Sequence, residues 1–340
     1  MSKSPSDNRQ VYLKQRPSGI PQAQHFGIRS VGVEPLREGQ FLVRNAYLSV
    51  DPAMRGWVNA VANYSNPVEI GEVMRSFAAG RVVESRHPDY PVGTAVMGML
   101  GWQDYAVSDG SNIRRVIREH DLPLSLSLGV LGLNGLTAYF ALTACGRPEP
   151  GNTVVVSTAA GAVGSIACQL AAAYGCRVVG ITGGPEKVAL CRREFGVHAA
   201  IDYKAVDFED ALADATPQGV DVYFDNTSGR ISDAVVRRIN HGARIIICGT
   251  ASVASWDPWP EGPRVERHLL NKAASMQGFL AFDYEARYQE AIDVLAPMVR
   301  EGRIRYREDI LDGIDAAPAS IADLYLGRNT GKRLIRLMDD

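Results

Sequence analysis

The chain has 340 residues, of which 46% are hydrophobic and 22% are charged, a balance typical of a globular protein with a buried core. At roughly 100–200 residues per domain, this length favours two domains over one or three. The net charge of −2 gives no sign of a nucleic-acid or membrane partner. No apolar run reaches the ~18–20 residues of a membrane span. The polar first ten residues lack the apolar segment that a secretory signal has.

The early part of the chain, up to residue 140 or so, predicts a β-rich domain. Residues 40–50, 79–85 and 93–100 form short segments rich in β-branched side chains. Pro, Gly, Asp and Asn separate these segments, as in domains built from short strands.

From residue 151 the pattern changes to alternating strands and helices. Thr153–Ser157 is an apolar run, and residues 162–174 carry apolar side chains at the i, i+3, i+4, i+7 spacing of a helix with one buried face. Arg177–Thr182 is a second apolar run, followed by a helix that Pro185 opens and Gly196 closes. Further predicted strands cover residues 199–201, 221–225, 243–248 and 275–281. This alternation predicts a parallel sheet covered by helices on both faces.

The last part of the chain predicts two helices and a strand. The helices are expected near residues 284–301 and 318–326, and the strand near residues 333–337. We expect this strand to return to the first domain, so the predicted domains are residues 1–135, 136–305 and a returning segment 306–340.

The turn after the strand Thr153–Ser157 is the strongest functional pattern. In a G-x-G-x-x-G fingerprint, glycines let the backbone approach a dinucleotide pyrophosphate at a helix N-terminus. Here Gly161 and Gly164 match the last two glycines, while Ala159 replaces the first. The alternative is a glycine-rich contact between helix and strand without a ligand.

The end of the next strand indicates which cofactor is bound. An NAD site usually has Asp or Glu there, to hold the adenosine ribose 2′-hydroxyl. No acid ends this strand, whereas Lys187 lies in the first turn of the next predicted helix and Tyr203 follows the third strand. Together these features favour NADPH. Considered separately, Lys187 is also compatible with a solvated surface lysine and Tyr203 with packing.

Metal chemistry finds little support in the sequence. Zinc requires three or four Cys, His or carboxylate ligands in a tight shell. No cysteine precedes Cys145, and His25, His87 and His120 are scattered without ligand spacing, so we expect no metal. The five cysteines lack redox or metal spacing and are expected to be buried, reduced thiols of a cytoplasmic protein: Cys145, Cys168, Cys176, Cys191 and Cys248.

Several motifs follow one another in order over nearly the whole chain: YLSVDPAMR at 47–55, GEVM at 71–74, GWQDY at 101–105, GLTAY at 135–139, AAGAVG at 159–164, YFDN at 223–226, ICG at 247–249 and GRNTGK at 327–332. In this order they resemble the zinc-independent medium-chain dehydrogenase/reductases of the leukotriene B4 12-hydroxydehydrogenase, prostaglandin reductase, curcumin reductase and plant double-bond reductase group. The resemblance implies a GroES-like β-rich domain interrupted by a Rossmann domain, and a homodimer. It also implies NADPH-dependent reduction of the carbon–carbon double bond of an enone or enal.

The resemblance also assigns roles to residues. Cofactor contacts are expected at Gly161, Ala162, Val163, Gly164, Lys187, Tyr203, Asn226, Cys248, Gly249, Thr250, Ser252, Phe279, Leu280, Ala281 and Asn329. The substrate pocket is expected at Ala53, Tyr64, Ala254 and Trp256, with Trp57 and Trp259 as further aromatic candidates.

Two departures from the family leave the proton donor open. Positions at which the family commonly has tyrosine carry Ala53 and Ala254. The remaining candidates are Tyr64, a nicotinamide ribose hydroxyl or water. Two alternatives to alkene reduction also stay open: a metal-free carbonyl reductase or alcohol dehydrogenase, and an NADPH-binding protein without catalysis.

Overall fold

The computed structural model describes residues 7–60, 65–253 and 260–338. They divide into two compact units: a β-rich unit made of Met1–Gly129 and Glu308–Asp340, and a central unit made of Val130–Arg307. The sequence placed the corresponding boundaries after residues 135 and 305. Within the described residues, no helix is both long enough and apolar enough to cross a membrane.

The strands of the described residues are, in chain order, β1 (Asn8–Leu13), β2 (Phe26–Val31), β3 (Phe41–Ser49), β4 (Ala78–Ser85), β5 (Ala95–Gly98), β6 (Tyr105–Ser108), β7 (Ile113–Val116), β8 (Thr153–Ser157), β9 (Arg177–Thr182), β10 (Ala199–Asp202), β11 (Val220–Asp225), β12 (Ile239–Ile247), β13 (Ser275–Gly278), β14 (Glu308–Asp312) and β15 (Lys332–Arg336). The α-helices are α1 (Met54–Trp57), α2 (Leu133–Phe140), α3 (Gly164–Ala173), α4 (Pro185–Glu194), α5 (Phe208–Ala215), α6 (Gly229–Val236), α7 (Glu266–Lys272), α8 (Tyr288–Arg300) and α9 (Ala317–Tyr325).

The β-rich unit contains a hairpin of β1 and β2 and a seven-stranded sheet. The sheet has the order β14-β15-β3-β4-β5-β7, and β6 also pairs with β3. Its central strand β3 carries side chains such as Phe41 and Leu48 that pack into the core. The last strand, β15, lies antiparallel to β3, with Leu334 opposite Ser49.

The central unit is a parallel six-stranded sheet in the order β10-β9-β8-β11-β12-β13. In chain order this corresponds to 3-2-1-4-5-6, the Rossmann order. Val154, Val155 and Val156 of β8 are completely buried, because helices cover both faces of such a sheet. Ligands bind to this fold beyond the carboxyl ends of the strands, where the order reverses between β8 and β11.

Most predicted elements of the central unit are confirmed. β8 and β9 have the predicted bounds, and α4 begins at Pro185. Three predictions differ in detail: β12 begins at Ile239 instead of residue 243, β13 ends at Gly278 instead of residue 281, and residues Ala281–Arg287 form a 3-10 helix before α8. Local periodicity does not distinguish the tighter 3-10 turn from the first turns of an α-helix.

Candidate cofactor site

The turn between β8 and α3 is built from small residues packed against β9. Ala159 donates its N–H to the Ile181 carbonyl at 2.9 Å and is completely buried. A Cβ added to Gly180 of β9 would lie 2.8 Å from the Ala159 Cβ. The glycine missing from the fingerprint at position 159 is therefore compensated by a glycine on the neighbouring strand.

The two matching glycines have different structural roles. A Cβ on Gly164 would overlap the Thr158 carbonyl oxygen, so this position holds the helix close to the turn. A Cβ on Gly161 would lie 3.1 Å from the same oxygen, with only one other atom within 4 Å. The outer side of Gly161 is therefore open to a ligand. The first N–H groups of α3 have no side-chain cap, and they form a natural site for phosphate oxygens.

The ends of β9 and β10 meet at a second glycine turn. Gly184 has φ +88° and donates its N–H to Asp202 Oδ1 at 3.0 Å. Lys204 donates its N–H to the same oxygen at 2.9 Å. Lys187 is the third residue of α4 and is half-buried, and Tyr203 directly follows β10. The structure thus places Lys187 and Tyr203 in the predicted elements and adds Asp202 as the group that joins the two loops.

Asp225, at the end of β11, is the most highly connected buried side chain of the site. Its Oδ1 accepts hydrogen bonds from the Thr227 N–H (2.8 Å), the Ser228 N–H (2.9 Å) and the Tyr223 hydroxyl (3.0 Å). Its Oδ2 has no partner among the described residues. Burial, followed by the Asp225 charge, raises the pKa of Tyr223 well above its usual value, so the phenol stays neutral and donates.

Asn226 is held by the end of β8. Its N–H donates to Ser157 Oγ and its Nδ2 to the Ser157 carbonyl, both at 2.8 Å. The side chain of Asn226 is therefore fixed where β8 and β11 end side by side, the point at which a Rossmann sheet presents its ligand site.

The loop after β12 is attached to the loop after β11. The Cys248 N–H donates to the Asp225 carbonyl at 2.7 Å, and Ser252 Oγ donates to the Thr227 carbonyl at 2.7 Å. A Cβ on Gly249 would lie 2.9 Å from the Asn226 carbonyl oxygen. Residues 248–252, including Thr250, therefore lie along the same edge as Asn226.

The segment after β13 contains an aromatic stack. Phe279 is buried, stacks on Tyr284 with ring centroids 5.4 Å apart, and donates its N–H to the Ile247 carbonyl at 3.0 Å. Leu280 is 43% exposed, whereas Ala281 is buried. The Phe279 side chain is thus committed to packing, and a cofactor contact of residues 279–281 through their backbone stays a prediction.

The remaining predicted residues belong to the β-rich unit or lie outside the described residues. Ala53 is half-buried against the core before α1, and Asn329 Nδ2 donates to the Gly331 carbonyl at 2.9 Å. Trp57 is only 3% exposed and belongs to the hydrophobic core, so its assignment as an aromatic pocket residue is wrong. The candidates outside the described residues are Tyr64, Ala254, Trp256 and Trp259.

A buried ion pair joins two of the quoted motifs within the β-rich unit. Lys332 Nζ contacts Asp51 Oδ1 at 2.6 Å, Ser49 Oγ at 2.7 Å and the Val50 carbonyl at 3.1 Å. Nearby, the Tyr325 hydroxyl donates to the Pro52 carbonyl at 2.8 Å. The YLSVDPAMR and GRNTGK segments are therefore fastened to each other, a role that sequence analysis missed because neither local pattern indicates its partner.

The cysteines do not provide a nucleophile. All five are free thiols; four are buried and Cys248 is half-buried. Burial raises the pKa of Cys191 to about 12 and that of Cys248 well above its usual value. Thiolates are the reactive form of cysteine, so burial keeps Cys191 and Cys248 in the unreactive thiol form. Among the described residues, no three His, Cys, Asp or Glu side chains come together as metal ligands could.

Comparison with known proteins identifies the family. A family model described as the N-terminal domain of oxidoreductase matches residues 9–116, and one described as zinc-binding dehydrogenase matches residues 162–297. The NADPH-dependent curcumin reductase of Escherichia coli (strain K12) is 41% identical over 345 residues, covering 100% of both chains. This chain belongs to the zinc-independent medium-chain dehydrogenase/reductase family.

Two further members of this family are similar over almost their whole length. The 2-alkenal reductase (NADP(+)-dependent) of Nicotiana tabacum is 35% identical over 333 residues, covering 96% of this chain and 97% of its own. The crystal structure of CurA in complex with NADPH from Vibrio vulnificus has 39% identity and a TM-score of 0.92, covering 98% of this chain and 100% of that one. The order of motifs in the sequence thus predicted the correct family.

Proposed function

We propose that this member of the family catalyses the NADPH-dependent reduction of the carbon–carbon double bond of an α,β-unsaturated ketone or aldehyde. The observation that carries the proposal is the cofactor half-site of the central unit. There, an uncapped helix N-terminus follows a turn of small residues, and Lys187 stands beyond a strand that ends without an acid. The names of the relatives, curcumin reductase and 2-alkenal reductase, supply the class of substrate.

The residues of the central unit fit NADPH by the chemistry of their donors. The open side of Gly161 and the N–H groups that begin α3 suit the pyrophosphate, whereas Lys187 and Tyr203 suit the 2′-phosphate. We assign the nicotinamide half to the ends of β11, β12 and β13. The complete proposed set is Gly161, Ala162, Val163, Gly164, Lys187, Tyr203, Asn226, Cys248, Gly249, Thr250, Ser252, Phe279, Leu280 and Ala281, with Asn329 from the β-rich unit.

When bound, NADPH supplies a hydride to the β-carbon of the substrate, and the chain itself supplies position and polarity. Ser157 fixes Asn226, while the Asp225 carbonyl and Thr227 hold the 248–252 loop, so the site is preorganised before substrate arrives. Charge then develops on the substrate carbonyl oxygen, which requires a hydrogen-bond donor. With alanine at positions 53 and 254, the hydrogen-bond donors we propose are Tyr64, a ribose hydroxyl or water, and a proton from solvent on the α-carbon completes the reduction.

The direct test mixes purified protein with NADPH and a panel of enones and enals, follows nicotinamide absorbance, and identifies the products by mass spectrometry. A saturated ketone or aldehyde is the expected product. An allylic alcohol with the double bond retained would instead identify a carbonyl reductase. Tight NADPH binding without turnover of any compound would identify a non-catalytic binding protein.

The cofactor assignment is tested separately with Lys187→Ala. Removing one cation from the 2′-phosphate should raise the KM for NADPH about tenfold, with much less effect on the KM for NADH. An equal change for both cofactors would contradict the assignment, because NADH lacks the phosphate.

We also propose a homodimer formed through the outer edge of β13. This strand ends the sheet order, three of its four residues are exposed, and none of the seven residues of α7 beside it is buried. Leu270 on α7 is 81% exposed, an apolar side chain that a second copy would cover. Light scattering after size exclusion should give twice the chain mass, and Leu270→Lys should reduce it, whereas a single chain mass for the wild type would contradict the proposal.

We further propose a cytoplasmic location, supported by five thiols that form no disulfide with one another. A fluorescent fusion or cell fractionation tests this proposal, and recovery outside the cytoplasm would refute it.

A further inference from the structure

The loop after β10 carries a second cation, Lys204, beside the residues already assigned to the 2′-phosphate. Lys204 is exposed and makes no ion pair in the part of the chain that the structure describes. Its Nζ lies 5.9 Å from the centroid of the Tyr203 ring. A Cβ on Gly183 would lie 2.9 Å from Tyr203 Cε1 and 3.1 Å from Lys204 Cε, so both side chains pass directly over this glycine.

Asp202 holds Lys204 in this position. One oxygen of its carboxylate accepts the N–H groups of both Gly184 and Lys204, at 3.0 and 2.9 Å. The turn that begins α4 and the loop that carries Lys204 are therefore joined through this carboxylate. The stem of Lys204 is thus directed by the backbone, although its ammonium group is free to meet a ligand.

The charges of Lys187 and Asp202 and of the expected 2′-phosphate favour a second cation at this site. The 2′-phosphate carries close to two negative charges, and the Asp202 carboxylate places another one beside it. Lys187 by itself balances only the charge of Asp202. With Lys204 included, the two lysines exceed the charge of Asp202 by one, and this positive charge favours a phosphate.

We infer that Lys204 is a specificity-determining residue that, with Lys187 and Tyr203, binds the 2′-phosphate of NADPH and selects it over NADH. This inference rests on the proposed cofactor. It gives the loop after β10 an electrostatic role in cofactor choice in addition to the contact expected from Tyr203.

Calorimetric titration of the full chain with 2′,5′-ADP and with 5′-AMP tests the inference without requiring turnover. Lys204→Gln should weaken the binding of 2′,5′-ADP about fivefold and leave that of 5′-AMP unchanged. Lys204→Arg should retain most of the wild-type affinity, because it keeps the charge. Lys14→Gln, which removes an exposed lysine directly after β1 in the β-rich unit, is the matched control and should change neither affinity.

The outcomes separate the inference from the proposed function. If the wild type prefers 2′,5′-ADP and Lys204→Gln binds it within twofold of wild type at low salt, the inference is wrong and the cofactor proposal stands. If Lys204→Gln weakens both ligands equally, Lys204 acts through folding of the loop, and the inference is also wrong. If the wild type does not distinguish the two ligands, the NADPH assignment fails and the inference fails with it.

Discussion

Replacing Asp225 by alanine should destabilise the central unit by about 3 kcal/mol. The substitution removes the acceptor for the Thr227 N–H and the Tyr223 hydroxyl, both buried, and for the partly buried Ser228 N–H. Each buried donor left without a partner costs about 1–3 kcal/mol. Relief of the buried charge, whose Oδ2 has no partner among the described residues, offsets part of this sum.

Asp225→Asn separates hydrogen bonding from charge. The amide oxygen can accept the same hydrogen bonds, but the new NH₂ group would occupy the Oδ2 position without an acceptor, so we expect a loss of about 1–2 kcal/mol in stability.

At roughly 2–4 °C per kcal/mol for a unit of this size, Asp225→Ala should lower the midpoint of thermal unfolding by about 6–12 °C. Both variants should also weaken NADPH binding, because the Asp225 carboxylate holds Thr227 and Ser228, to which Ser252 of the 248–252 loop is attached.

Calorimetry and urea unfolding followed by circular dichroism measure these changes, with Asp293→Asn on the exposed face of α8 as the control. The control should stay within about 0.5 kcal/mol of wild type. The reasoning is refuted if Asp225→Ala is as stable as the control, or if Asn proves more damaging than Ala. Either result would mean that the donors find other acceptors and that Asp225 does not organise the loops.

Three further predictions concern the two units. Gly164→Ala should lower the free energy of unfolding by about 2 kcal/mol and weaken NADPH binding, because its Cβ would overlap a carbonyl oxygen. Gly161→Ala, whose Cβ would lie 3.1 Å from the same oxygen, should lower it by less than ~1 kcal/mol. Urea unfolding measures both changes, and equal effects would contradict this difference. Lys332→Met should destabilise the β-rich unit by about 3–5 kcal/mol, because it leaves the Asp51 carboxylate without its cation. Adding Asp51→Asn should restore part of that stability. A double variant no more stable than Lys332→Met would disprove the pairing. At pH 8, Cys191 should be alkylated about a thousandfold more slowly than a thiol of pKa 9.0, as measured by mass spectrometry, since burial raises its pKa to about 12. A raised thiol pKa disfavours the thiolate in the folded state, so the contribution of Cys191 to folding stability is present below pH 9.0 and is lost as pH rises toward 12. Rapid alkylation of Cys191 in the native protein at pH 8 would refute the burial argument.

Residue periodicity by itself determined the alternating elements of the central unit. A strand buried on both faces must be apolar throughout, so β8 and β9 were predicted with their observed bounds. The positions of Lys187 and Tyr203 followed from those elements, because each lies within a few residues of a strand end. Family membership followed from the order of motifs along the chain.

Only the tertiary structure decided which distant residues meet. Asp202 accepts the N–H of Gly184 across 18 positions of sequence, and Lys332 reaches Asp51 across 281 positions, through contacts that no local pattern encodes. The burial of Trp57 likewise depends on which side of α1 faces the core. The sequence determined the elements because hydrophobic periodicity is a local property, whereas polar networks and ion pairs arise only after folding brings separate strand ends together and excludes water from between them.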